Sequence, residues 1–73
     1  MSKNNVIQLA DQIRLNGRQM GYEARMGDTY ITNPFVPTSN FYDVWNDGYD
    51  LGIRDANLEM FLAYRETLSE NFA

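Results

Sequence analysis

Two runs decide the fold: Gly21-Tyr22-x-Ala24-x-x-Gly27 and, beyond Asn33-Pro34-Phe35, Trp45-x-x-Gly48-Tyr49-x-x-Gly52. Both interleave glycine and alanine with aromatic rings at helical spacing. A glycine inside a helix costs about 1 kcal/mol against alanine, so repeated glycines need a structural reason. Close approach of two helix backbones, with large rings filling the gap near the turn, is such a reason. The runs therefore predict an all-α helical hairpin with an aromatic and proline-rich connection.

Working outward, helix one is expected over about residues 5–26. Val6, Leu9, Ala10, Ile13, Gly17, Met20, Gly21 and Ala24 recur at steps of three and four. Asn4 or Asn5 is the expected N-cap, and Gly27 the expected stop. Residues 28–39 form the connection. Pro34 and Pro37 oppose helix there, but Tyr30, Ile31, Phe35 and Val36 are too apolar for a solvated linker. A structured segment folding back onto the helices is expected, with Thr29–Thr32 a candidate short strand. Helix two is expected over about 40–56, capped within Thr38–Asn40, with a helical extension to about 69. That extension is either continuous or broken near Asp55–Asn57. Residues 1–73 form a single domain.

A chain of 73 residues buries only about 60% of its unfolded surface. Its 44% hydrophobic content supports a core, though a thin one that a second copy or a partner completes. Without cysteine there is no disulfide or thiolate site, and without histidine the commonest general base is missing. The Met-Ser-Lys-Asn-Asn start has no apolar signal region, and no run approaches the roughly 20 apolar residues of a membrane span. A cytoplasmic protein is expected, with no membrane partner.

The net charge of −4 opposes simple nucleic-acid binding, which depends on neutralising phosphates. Charge is also uneven: residues 1–27 carry +2 and residues 40–73 carry −5. Three surface patterns stand out. Arg14, Arg18 and Arg25 share one side of helix one and are candidate phosphate contacts. They are alternatively partners for Asp43, Asp47 and Asp50 on a helix expected to run antiparallel. Asp55, Glu59, Glu66 and Glu70 form an acidic face suited to a basic protein surface or to nucleic-acid mimicry. Among the aromatics, Phe35, Phe41 and Trp45 read as core. Tyr30, Tyr42 and Tyr49 read as surface contacts, because a buried hydroxyl needs a partner. Leu58, Phe61, Leu62 and Leu68 have no place in the hairpin core and predict a homodimer. No catalytic set, metal site or cofactor motif is present, so a non-enzymatic protein is expected.

The ordered set Gly21-Tyr22-x-Ala24-x-x-Gly27, Pro34-Phe35, Trp45-x-x-Gly48-Tyr49 resembles the ribosome modulation factor family over residues 17–56. That superfamily also contains small proteins linked to ciprofloxacin resistance and short phage proteins. The resemblance implies a compact two-helix unit, binding to the small ribosomal subunit and control of translation, with Arg14, Arg18 and Arg25 as RNA contacts. This chain lacks the family's basic N-terminal segment and adds an acidic extension over residues 57–73. One alternative is a phage- or mobile-element-type effector that binds a host protein. A second, implied by the resistance-linked relatives, is a small-drug-modifying protein.

Overall fold

The computed structural model describes the backbone of residues 3–72 and the side chains of residues 8–68. The side chains of Val6 and Glu70 lie outside the described residues. The fold is all-α: α1 spans Lys3–Met26, α2 spans Tyr42–Phe72, and one connection joins them. No described helix is long and apolar enough to cross a membrane.

The expected stop of α1 is present but works differently. The Thr29 amide donates to the Ala24 carbonyl at 2.8 Å and the Asp28 amide to that of Arg25 at 3.3 Å, the paired bonds of a Schellman ending. The left-handed residue that this ending requires is Asp28, at φ 52°, and not Gly27. At the other end, α1 already contains Asn4 and Asn5, so neither is the N-cap. α2 begins at Tyr42, with Asp43 in its first turn, where negative charge suits the helix dipole. Ser39 does bond a free amide, but one step early: its Oγ accepts from the Phe41 amide at 3.2 Å. α2 is continuous through Asp55–Asn57, which resolves the two alternatives in favour of one long helix.

The glycines do hold the helices together. A Cβ on Gly17 would run into the Trp45 carbonyl, and one on Gly21 into that of Tyr49. Reciprocally, Gly48 faces the Arg14 carbonyl and Gly52 that of Arg18. Each helix thus presents bare backbone to the other's hydrogen-bonded backbone, and Ala24 and Ala56 extend the two small faces.

This register also fixes direction. Residue numbers on the two helices rise together: Gly17 meets Trp45 and Gly21 meets Tyr49, while Asn16 bonds Trp45 and Arg18 bonds Asp55. The helices therefore run parallel and not antiparallel. They are staggered as well. Helices of this length are about 36 and 46 Å long, yet the molecule extends 59 Å. The N-terminal end of α1 projects at one end and residues 57–72 of α2 at the other.

Parallel helices require the connection to travel back along the pair, and residues 27–41 do so. The Ile31 amide donates to the Tyr49 hydroxyl at 3.2 Å, so Thr29–Thr32 forms no strand. Asn33 then latches the chain to the start of α2. Its Nδ2 donates to the Tyr42 carbonyl at 3.0 Å and to Asn46 Oδ1 at 2.9 Å. Its Oδ1 accepts from the Phe35 amide at 2.9 Å, a local turn typical of asparagine before proline. Phe35 finally packs on Phe41 with ring centroids 5.8 Å apart.

The core lies where the three segments meet. Trp45 is 2% exposed, stacks on Tyr49 at 5.0 Å and donates its indole N–H to Asn16 Oδ1 at 3.0 Å. Ile13, Met20, Ile31, Phe35 and Ile53 close around them. Tyr49, expected at the surface, is only 8% exposed. The partner its hydroxyl needs is supplied by the connection.

Candidate interaction surface

Two polar borders flank the helix pair. Along the first, α1 and α2 exchange side-chain bonds. Arg18 grips Asp55 in a two-pronged pair through Nε and through Nη2, the latter at 3.0 Å. Tyr22 donates its hydroxyl to Glu59, and Arg25 donates from Nε to Asn57 Oδ1 at 2.8 Å. Arg14 instead turns to Asp11 on its own helix at 3.2 Å.

These bonds shift ionisation. The hydrogen bond to Asp55 raises the Arg18 guanidinium above its ordinary value, and the same bond holds the Asp55 carboxyl below the usual carboxylate range. Hydrogen bonding to Glu59 pushes the Tyr22 hydroxyl up. Both members of the Arg18–Asp55 pair are well hydrated, so it aligns the helices more than it stabilises them.

The pairing departs from expectation. Arg14, Arg18 and Arg25 do not meet Asp43, Asp47 and Asp50, because that match assumed antiparallel helices. In the parallel register, Arg18 and Arg25 reach Asp55 and Asn57, one turn beyond the glycine contacts. Two members of the expected acidic face, Asp55 and Glu59, are consequently bound to α1 residues. Glu66 lies exposed farther along α2.

The second border is a cleft between the connection and α2, with a volume of about 480 Å³. Its floor is Ala24, Tyr49 and Ile53, and its rim carries Arg25, Tyr30, Asn46 and Asp50. Tyr30 is 75% exposed and rests edge-on against Tyr49 at 6.0 Å, so one aromatic face stands open. Asp50 has no ion-pair partner among the described residues.

The chain matches no protein family, no curated protein and no solved structure. Its site is therefore read from this geometry. Of the contact candidates, Arg25, Tyr30 and Tyr49 converge on the cleft. Arg14 and Arg18 lie across α1, and half-buried Tyr42 supplies a backbone carbonyl to Asn33. Asn16, Asn33, Asn46 and Asn57 were not singled out by sequence reasoning. The partners of Asn16 and Asn57 lie far along the chain, so no local spacing marks them. Asn33 does carry a local mark, its turn before Pro34, but its bond to Asn46 spans the connection.

A third surface is apolar. Beyond the end of α1, α2 exposes Leu58 at 58%, Phe61 at 56% and Leu62 at 47%, with Leu68 half-buried. Among the described residues, none of α1 or the connection buries Leu58, Phe61 or Leu62.

Proposed function

We propose that this chain is a small non-enzymatic regulatory protein that works by occupying a partner's surface through the cleft between the connection and α2. The observation that carries this reading is the convergence of Arg25, Tyr30, Tyr49 and Asp50 on one concavity. Its volume falls in the range of ordinary binding pockets. The open Tyr30 ring and the unpaired Asp50 carboxylate suit a cationic side chain of a protein, which gains from the ring face and from the charge together.

A protein surface is favoured over RNA as the partner. Arg14, Arg18 and Arg25 already hold Asp11, Asp55 and Asn57, and net charge is −4, whereas phosphate binding needs free cations. A regulator of translation at the small ribosomal subunit, which the family resemblance implies, remains compatible when the contact is a basic ribosomal protein. A phage-type effector that engages a host protein uses the same cleft chemistry.

The test is a photo-crosslinker placed at Thr29, on the cleft edge, in cells. The expected result is a protein adduct that disappears with Tyr30→Ala or Asp50→Asn and persists in Arg14→Gln. Adducts to RNA alone, or protein adducts indifferent to both cleft variants, would refute the proposal.

A further inference from the structure

The apolar residues beyond α1 continue a pattern that runs the length of α2. Val44, Leu51, Leu58 and Arg65 recur every seven residues, and Asp47, Arg54, Phe61 and Leu68 do so three positions later. These are the a and d positions of a coiled-coil seam. The backbone contacts to α1 are made at Trp45, Gly48, Tyr49 and Gly52, and side-chain bonds at Asp55, Asn57 and Glu59; these fall at positions b, e, f and g. The seam thus lies mostly away from α1 and adjoins it only at Leu51, which lines a depression with Arg14, Leu15 and Arg18. On it Asp47, Arg54, Leu58, Phe61 and Arg65 are exposed, and Val44, Leu51 and Leu68 are half-buried.

The amount of exposed surface indicates what covers this face. A compact monomer of 8.5 kDa exposes roughly 4,700 Å², whereas this chain exposes 5746 Å². Its radius of gyration is 16.2 Å, against about 11 Å for a compact chain of this length. The excess, roughly 1,000 Å², is shared between the projecting ends of α1 and α2, and is of the order of the approximately 800 Å² that each partner buries in a standard interface.

Charge selects both the occupant and its direction. A parallel, in-register pair would set Arg65 against Arg65, Arg54 against Arg54 and Asp47 against Asp47, which repels. Reversing one helix brings each a position opposite a d position. Shifts of one heptad then give a small set of registers, one of which places Arg65 opposite Asp47. The same register sets Leu51 opposite Phe61, Val44 opposite Leu68, and Leu58 on the Arg54 stem. The next register along opposes Arg65 to Arg54.

We infer that the outward a/d seam of α2 is the interface of an antiparallel homodimer. In it, each copy's projecting residues 57–68 lie along residues 44–54 of the second copy. Phe61 then approaches the depression of about 260 Å³ between α1 and α2 that Leu15, Leu51, Arg14 and Arg18 line. The arrangement is isologous and closes at two chains. The cleft on the connection side touches this seam only at Asp50, which lines the cleft and also borders Asp47, Leu51 and Arg54; the dimer does not rest on the proposed function.

Sedimentation equilibrium on the full chain tests this, with helicity and Trp45 emission recorded in parallel to confirm folding. The wild-type chain is expected to sediment as a dimer, and Phe61→Asp as a folded monomer. Arg65→Asp should weaken association at least about tenfold, as loss of a close interfacial charge pair does. Combining it with Asp47→Arg should restore association, which a general loss of folding would not allow. A monomeric wild-type chain, assembly beyond two chains, or a double variant no tighter than Arg65→Asp would overturn the inference.

Discussion

Residues 42–56 and residues 57–72 belong to one uninterrupted helix, yet their packing faces follow opposite plans. The first part contacts α1 through the smallest side chains available, Gly48, Gly52 and Ala56, and places its one tryptophan at the edge of that contact. The second part meets α1 only through polar bonds at its start, Arg25 to Asn57 and Tyr22 to Glu59, and carries Leu58, Phe61 and Leu62 in the open. Close backbone packing beside the Trp45–Tyr49 cluster holds the monomer together, while the large apolar side chains of Leu58, Phe61 and Leu62 take no part in that core. Substitutions in the two parts should therefore behave in opposite ways.

The largest contrast is expected between aromatic truncations. Trp45→Ala should cost about 3–5 kcal/mol, the range for a buried large aromatic. Phe61→Ala, measured in dilute solution, should stay within about 0.5 kcal/mol. Urea unfolding of both variants tests the comparison, and similar losses would erase it.

A smaller but more specific contrast concerns added methyl groups. Gly52→Ala should destabilise by about 2 kcal/mol. The new Cβ meets the Arg18 carbonyl and lies 2.6 Å from the Tyr22 amide nitrogen. Neither backbone can yield without separating the helices, and this outweighs the helix-propensity gain of about 1 kcal/mol. Gly27→Ala is the control: its Cβ would sit 3.2 Å from the Glu23 carbonyl oxygen, a tight contact that a small shift at the helix end relieves, so its cost should be well below that of Gly52→Ala.

Next in size is a gain. Asp28→Gly should stabilise by about 1 kcal/mol, because Asp28 holds the left-handed conformation that glycine adopts without steric cost. Thermal melts of this variant and the parent measure it.

The smallest effect is electrostatic. Asp55 has a lowered carboxyl pKa because of its hydrogen bond to Arg18. Its contribution is therefore complete above the unfolded carboxylate pKa, and is lost as pH falls toward the lower folded value. Asp55→Asn should flatten the acid side of the stability profile and leave its neutral-pH shape unchanged. A variant with the parent's acid dependence would show that the pair is not linked to folding.

Much of this architecture is legible in the sequence. The glycine and alanine spacing marks the contact face, Trp45 marks the core, and Pro34 and Pro37 mark the connection. Direction is not legible from those marks, because Gly-x-x-x-Gly reads the same from either end. The signal that carried direction was length. Residues 27–41 are far longer than the two to eight residues that usually join neighbouring helices, and too apolar to be idle. A segment of that kind has room to run back along the pair.

The other misreadings follow from the same point. From sequence Tyr49 reads as a surface residue, because its partner, the Ile31 amide, reaches it only when the connection doubles back. From sequence the arginine stripe pairs with Asp43, Asp47 and Asp50, because an antiparallel register brings those together. In the cleft, the ingredients Arg25, Tyr30 and Tyr49 were legible, but their convergence was not, since it depends on where the returning connection lies.

The central claim is the parallel, staggered register, and one distance tests it. Gln12 and Glu66 are exposed and accept spin labels in the double variant Gln12→Cys, Glu66→Cys. Pulsed dipolar spectroscopy on this variant, diluted into excess unlabelled chain, reads the intramolecular separation alone. In the parallel register Gln12 is level with Tyr42, so at 1.5 Å per residue the labels should be roughly 35–40 Å apart. An antiparallel hairpin turning between Met26 and Tyr42 would set Gln12 level with Ala56. The labels would then lie within about 20 Å of each other, and that result would contradict the account.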